Sequence, residues 1–453
     1  MSAERDDSPP AEPAGYRRVL SRFDATILVI GSIIGAGVFF SPNDIALVVQ
    51  ERPVMLGVWL VGGFIALVGA LVYAELGALY PATGGVYVFL REAFGGLPGF
   101  LYGWALLLVI VPGALALVAG FFAVNLVSLL PAGGERLEPW VALAVIVLLT
   151  LVNIRGVRLS STLQNVVTVA KLAVFALLAG GGLLYAGEPV APAAGTVVPT
   201  PSGAGWMALG FAMVPALFSY GGWQQITHVA GELRRPQRDI PFAAICGTLV
   251  VVAVYVSINF AYLRVLSPEV IAAERRFAAL AAHAALGGLG GTLVTVGILI
   301  STFGICAAIL LSNPRGAQAI AADGLFFPAF GRLHPRFRTP HWAIGVLGGW
   351  ACLLYLLGAA GQLLHAVVFA DWVFFAAAGA SLFVFRRRRP EAERAYRCPL
   401  YPWLPGLFLA LATALAAITF WQSDLTSRLL GAGILLAGVP VYWAFRRQSR
   451  TAG

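Results

Sequence analysis

The chain has 453 residues, of which 59% are hydrophobic and only 11% charged, with a mean hydropathy of +0.84, whereas an ordinary soluble domain is about 25% charged. So little polar surface cannot cover a water-soluble globule, and charge-free runs such as Val54–Ala74, Ala93–Gly134 and Phe277–Pro314 are each long enough to cross about 30 Å of hydrocarbon. A net charge of +9 would suggest nucleic acid in a soluble protein, but these arginines sit in short loops, where they set topology. The composition therefore predicts an all-α polytopic membrane protein with the lipid bilayer, and no nucleic acid, as its surroundings.

The acidic, Pro-rich head carries no cleavable signal pattern, so residues 1–24 are predicted to be a disordered cytosolic tail. Hydropathy then gives twelve spans at 25–49, 54–79, 98–130, 140–154, 160–186, 206–231, 240–264, 287–320, 341–358, 362–385, 403–421 and 429–445. With both termini inside, 23 of the 30 basic residues fall on the cytosolic side and only Arg52, Arg136, Arg264, Arg275, Arg276 and Arg428 fall outside. That asymmetry sets the orientation, with Arg386–Arg389 as its strongest anchor. The expected location is the cell membrane, a bacterial inner membrane, with residues 447–453 as a second cytosolic tail. Cys246, Cys306, Cys352 and Cys398 are far apart and form no Cys/His cluster, which points away from disulfides, zinc and any other cofactor.

Two spans are interrupted in a related way. The first carries Gly31-Ser32-Ile33-Ile34-Gly35-Ala36-Gly37 at its centre, and the sixth carries Phe218-Ser219-Tyr220-Gly221-Gly222-Trp223 after Pro215. Each glycine weakens a helix by about 1 kcal/mol, and proline by more. Unwound backbone survives in a bilayer only where protein or water satisfies it. Such spacing also serves close helix packing, but breaks in the first and sixth spans are what two inverted five-helix repeats produce, the discontinuous helices meeting at the midplane as a substrate site. Residues 25–187 and 206–386 are accordingly read as the two repeats, with 403–446 as two appended helices.

Unwinding frees N–H groups at the start of the second half-helix and C=O groups at the end of the first. The N–H groups around Ala36 and Gly37, at a positive helix end, suit an α-carboxylate. The carbonyls of Ile33, Phe218 and Ser219 suit an α-ammonium group, and the small residues at 35–37 and 221–222 allow close approach. The chemistry is recognition of an amino acid through its backbone atoms.

These segments resemble a known family. GSIIGAGVFFSP (Gly31–Pro42) is similar to the first-helix signature of amino acid permeases of the amino acid, polyamine and organocation superfamily. ALFSYGGWQQITHVAGELRRPQRDIP (Ala216–Pro241) resembles the sixth helix and following loop of its L-type branch, and LQNVVTVAKLAVFALL (Leu163–Leu178) resembles that branch's fifth helix. YAELGALYPATGGVYVFLREAFG (Tyr73–Gly95) is similar to the family's second helix and first cytosolic segment. The resemblance implies a five-plus-five inverted-repeat fold, alternating access and amino acid transport. It puts the carboxylate site on Gly35, Ala36 and Gly37, and the ammonium carbonyls on Ile33, Phe218, Ser219 and Gly221. The chain departs from the pattern at Ala36, where many members have Ser, at Gln224 in place of Asn, and at Gly231-Glu232 in place of Glu-Glu.

Charges inside a span are functional hypotheses. Lys171, the only lysine, lies midway along the fifth span. A desolvated lysine can lose its proton, which arginine does not. By the resemblance, Lys171 replaces the coupling sodium ion, its ammonium bonding carbonyls of the first break, which implies sodium-independent transport. Glu75 is read as the partner of a loop arginine, structural or gating, with proton handling as the alternative. Asp371 could be a pore-lining acid, a proton site or a helix-break partner, and Tyr220, inside the second break, is a further gating or proton-handling candidate. His228 and His365 are read as hydrogen-bonded helix residues. The shortage of intramembrane acids favours neutral substrates over cationic amino acids or polyamines.

The intramembrane polar residues form neither a nucleophile–base pair nor H-E-x-x-H, and there is no Walker loop, so the chain is not expected to be an enzyme or an ATP-driven pump. A channel, or an amino acid sensor on a transporter scaffold, stays open at this point, as does the choice between exchange or facilitated transport, which is preferred, and proton symport. No obligatory protein partner is evident.

Overall fold

The computed structural model describes residues 15–131, 134–193, 205–358, 360–422 and 425–451. Among the described residues the regular structure is helical, with only two isolated β-bridges, Leu20 to Leu233 and Val190 to Leu266. In chain order the helices are α1 (Arg22–Ile33), α2 (Gly37–Ala46), α3 (Arg52–Leu79), α4 (Val86–Phe94), α5 (Gly96–Ala105), α6 (Val111–Val127), α7 (Glu138–Ile154) and α8 (Val157–Leu183). After a gap come α9 (Gly205–Ser219), α10 (Gln225–His228), α11 (Pro236–Val265), α12 (Pro268–Ala273), α13 (Phe277–Leu286), α14 (Leu289–Ser312), α15 (Pro314–Ala322) and α16 (Pro328–Gly331). The chain closes with α17 (His341–Leu356), α18 (Ala360–Arg388), α19 (Trp403–Gln422) and α20 (Leu425–Thr451).

Each of the twelve predicted spans falls on one of these helices or on a broken helix, and among the described residues eight are long and apolar enough by themselves to cross a membrane. The molecule is a polytopic helical membrane protein. The sequence reading did not anticipate α4, α12, α13 and α16, which lie between spans and are short, nor that the end of the span at 287–320 forms a separate helix, α15. Of the predicted tails, residues 1–14 lie outside the described residues, whereas 15–24 are ordered against the body and 447–451 continue α20.

Local chemistry fixes the boundaries. Ser21 caps α1 reciprocally: Asp24 N–H donates to its Oγ at 3.2 Å and Ser21 N–H to Asp24 Oδ2 at 2.8 Å. Prolines open α3, α7, α11, α12 and α15 in the first turn, where no intrahelical donor is lost. Between α5 and α6 the backbone widens into a π-turn at Leu106–Ile110, and Trp350 Nε1 donates to the Leu108 carbonyl there at 3.0 Å. Such turns recur at functional sites.

The two broken helices lie at the centre. α1 packs on α8, α11 and α14, while α9 packs on α2 and α3. Both terminal segments meet the same stretch of chain: Tyr16 Oη donates to Gln318 Oε1 at 3.3 Å, and the Phe445 ring packs on Phe326 and Phe327.

Candidate functional site

In the first break α1 ends at Ile33, the backbone turns extended at Ile34, and α2 restarts at Gly37. In the second, α9 ends at Ser219 and a run of turns over 220–224 leads into α10. Both interruptions coincide with the glycine clusters, as expected.

The breaks touch through their glycines. A side-chain carbon on Gly37 would collide with Ser219, and one on Gly222, which has φ +128°, would strike the Ser32 carbonyl. Only a residue without Cβ fits either position. Hydroxyls complete the seam: Ser41 Oγ lies 2.8 Å from Ser219 Oγ, and Ser219 Oγ donates to Pro215 O at 2.9 Å.

The freed backbone groups divide by position. Among the described residues the N–H groups of Ala36, Gly37 and Val38 donate to no protein acceptor, so the positive end of α2 keeps three uncommitted donors. The carbonyls are engaged. Tyr255 of α11 places its hydroxyl 3.0 Å from Ile33 O and 3.2 Å from Ser219 O, and Gly35 N–H donates back to it at 3.4 Å. Phe218 O accepts from Gly221 N–H at 3.2 Å. The expectation that these carbonyls wait for an ammonium group is refined accordingly: a hydroxyl already bridges two of them, and a ligand must share or displace it.

Lys171 is fully buried on α8, and its ammonium donates to Gly31 O at 3.0 Å and Ile34 O at 2.7 Å. Gly304 of α14 closes the other side, since a Cβ there would stand 3.0 Å from Nζ. The Lys171 amino group thus caps the end of α1, where the last carbonyls lack intrahelical partners.

The remaining candidates are dispersed. Tyr220 donates to Trp59 O at 3.0 Å and packs edge-on to Trp59, so its hydroxyl is already committed. Phe218 is 42% exposed and tilts against Phe40, which in turn meets Phe121 of α6. Glu75 is fully buried, accepts from Arg386 Nη2 at 2.7 Å and from Cys398 N–H at 2.7 Å, and is ion-paired with Arg394 Nε at 3.1 Å, joining α3 to α18 and the loop beyond it. Asp371 of α18 makes no hydrogen bond or ion pair among the described residues, and the groups that feel its charge are Tyr73 and Tyr102. Gly221 borders a small apolar cavity with Ile65, Ala66, Trp372 and Phe408. The His365 side chain lies outside the described residues.

Tyr255 escaped the sequence reading because a tyrosine in an apolar run carries no signal of where its hydroxyl ends. So did the Glu232–Arg315 pair. Both residues are 1% exposed and joined through two hydrogen bonds of 2.9 and 3.0 Å. Leu20 N–H donates to Glu232 O at 2.9 Å and Arg234 N–H to Leu20 O at 3.0 Å, so the N-terminal segment is laced to the end of the second break. Gln224, one of the three departures from the family pattern, accepts from Gly222 N–H at 3.1 Å and caps that break from within.

Two apposed helix breaks thus meet beside three backbone N–H groups without a protein acceptor and a buried lysine bonded to the first break. The sequence pattern of the amino acid permease family matches residues 20–445. The chain belongs to the amino acid permease family. It is 33% identical over 448 residues to the serine/threonine exchanger SteT of Bacillus subtilis (strain 168), covering 96% of this chain and 99% of that one. It is 30% identical over 457 residues to the human large neutral amino acids transporter small subunit 2, covering 97% and 83%. A third relative is the mouse b(0,+)-type amino acid transporter 1, 28% identical over 426 residues, covering 92% and 87%. This permease is a transporter and not an enzyme, as the sequence reading expected.

Proposed function

We propose that this permease exchanges neutral L-α-amino acids across the cell membrane by alternating access, without sodium. The observation that carries the reading is the pairing of free N–H groups at Ala36–Val38 with the Lys171 ammonium on Gly31 and Ile34. The first supplies a carboxylate site, and the second puts a protein cation where a coupling ion would otherwise be needed. Full-length similarity to proteins named as a serine/threonine exchanger and a large neutral amino acid transporter supports the same substrate class and exchange. In this reading Gly35, Ala36 and Gly37 hold the carboxylate, and Ile33, Phe218, Ser219 and Gly221 face the ammonium group. Residues 25–187 and 206–386 act as inverted repeats with 403–446 appended. Both termini lie in the cytosol of a bacterial cell, as the arginine asymmetry favours.

Proton symport is the second reading, favoured by the full burial of Lys171, because a lysine that sheds its proton during the cycle would couple flux to pH. The chain purified alone and reconstituted into liposomes tests both. Exchange requires neutral amino acid on the inside, runs equally in sodium and choline, and leaves the lumen pH unchanged. Strict sodium dependence would overturn the reading, and stoichiometric acidification would establish symport. Activity of the chain alone would also show that it needs no second subunit.

A further inference from the structure

The second break runs into α10, a single turn whose last residue, His228, is 1% exposed. Its Nε2 lies 3.3 Å from Tyr102 Oη of α5, with the two rings stacked at a centroid distance of 6.4 Å. Backbone closes in on other sides: a Cβ on Gly85 would stand 3.1 Å from the imidazole, and one on Gly316 of α15 would lie 3.5 Å from Nδ1. That Nδ1 is buried and has no hydrogen-bond partner. A histidine kept only for packing would spend both ring nitrogens, and leaving one unpaired costs about 1–3 kcal/mol.

The charges around it are few, and all but Asp371 are already committed. Arg315 is the charged group whose field reaches the imidazole, and both oxygens of Glu232 are bound to that guanidinium. The Tyr16 ring covers Arg315 at 5.9 Å. On α4, Tyr87 and Arg91 are both tied to Asp323. Asp371 of α18 acts electrostatically on Tyr102 and also on Tyr73 of α3.

We propose that His228, with Tyr102, is a proton-binding site that controls opening of the side of the permease closed by Glu232 and Arg315. The proton comes from hydronium in cytosolic water and bonds to the lone pair of Nδ1, leaving water behind, while Nε2–H donates to Tyr102 Oη. No other bond breaks. In the closed packing the new Nδ1–H faces Gly316 with no acceptor, and the new cation stands beside Arg315, whose carboxylate partner is fully engaged. The protonated form is therefore accommodated only when α10 and the turn after it move off α15 and admit water. The Leu20–Leu233 lacing must loosen with them, because Leu20 is bonded to the Glu232 backbone.

The inference rests on the proposed cytosolic orientation and not on the identity of the substrate. Its test is hydrogen–deuterium exchange of the Gln225–Arg234 segment in the purified full chain, corrected for intrinsic rates. The measurement is a pH series from about 4.5 to about 8, across the ordinary imidazole range. Wild type should exchange faster at acid pH, by up to about tenfold per pH unit, the limit for one proton. His228→Gln should show no such dependence, and Tyr102→Phe should move the transition to lower pH by removing the acceptor for Nε2–H. A wild type without acid-induced opening, or a His228→Gln chain that keeps the wild-type response, overturns the proposal. If His228→Gln does not fold, an unshifted transition in Tyr102→Phe overturns it as well. Flux in liposomes is read separately, so absent amino acid exchange with intact acid opening would fault the transport reading and leave this site standing.

Discussion

The ammonium of Lys171 lies 2.7 Å from the carbonyl oxygen of Ile34, the residue at which the first broken helix leaves α-geometry. A side chain from α8 thus satisfies the group that unwinding α1 exposes. Lys171→Ala would leave the Gly31 and Ile34 carbonyls unpaired, each at a cost of about 1–3 kcal/mol. Exchange should fall by about tenfold or more while the protein is still made and inserted. The check is uptake into liposomes normalised to reconstituted protein. Uptake at the wild-type rate would remove Lys171 from the mechanism.

Gly37 faces Ser219 with no room for a Cβ. Gly37→Val should therefore force the breaks apart and abolish substrate binding with expression intact. Pairing a small change with a relieving one sharpens the test: Gly37→Ala should lose most binding, and Gly37→Ala combined with Ser219→Gly should regain part of it. Scintillation proximity with a radiolabelled neutral amino acid reads both, and additive losses in the double variant would refute direct contact.

Tyr255→Phe keeps the ring that packs on Trp59 and Tyr220 but removes the hydroxyl shared by Ile33, Ser219 and Gly35. The loss of a buried bridging group is worth about 1–3 kcal/mol, so substrate affinity or turnover should drop by roughly tenfold or more. Measuring the dissociation constant and the exchange rate separately tells whether the hydroxyl serves binding or the conformational step.

Glu75→Gln should act on stability. It would leave Arg386 and Arg394 gathered around a neutral amide in a buried position, and removing one partner of such a cluster costs about 3–5 kcal/mol. Thermal denaturation followed by size-exclusion chromatography should show a clear fall in melting temperature. An unchanged melting temperature would rule out the structural role.

Much of the architecture was legible because the signals are local. A bilayer demands long charge-free runs, and Gly31–Gly37 and Phe218–Trp223 unwind where their own residues cannot hold a helix. Lys171 stood out because one lysine among arginines at mid-span is anomalous in composition alone, and Glu75 was expected to meet a loop arginine of the kind it meets in Arg394. The short helices α12 and α13 were not legible, since a few apolar residues beside a span do not differ from the span's own end.

The sequence by itself determined the class of molecule, the span positions and the two places where the backbone opens, because hydropathy, glycine content and charge act along the chain within a turn or two. Only the tertiary structure decided which freed groups remain free. Tyr255 comes from α11, 222 residues beyond Ile33, to occupy the carbonyls, and Glu232 finds Arg315 across 83 residues. His228 was read as a hydrogen-bonded helix residue, and the fold pairs its Nε2 with Tyr102 while leaving its Nδ1 unpaired. Hydrogen bonds depend on distances between side chains that no periodicity encodes, so the bonding state of a buried polar atom is settled only when separate helices pack together.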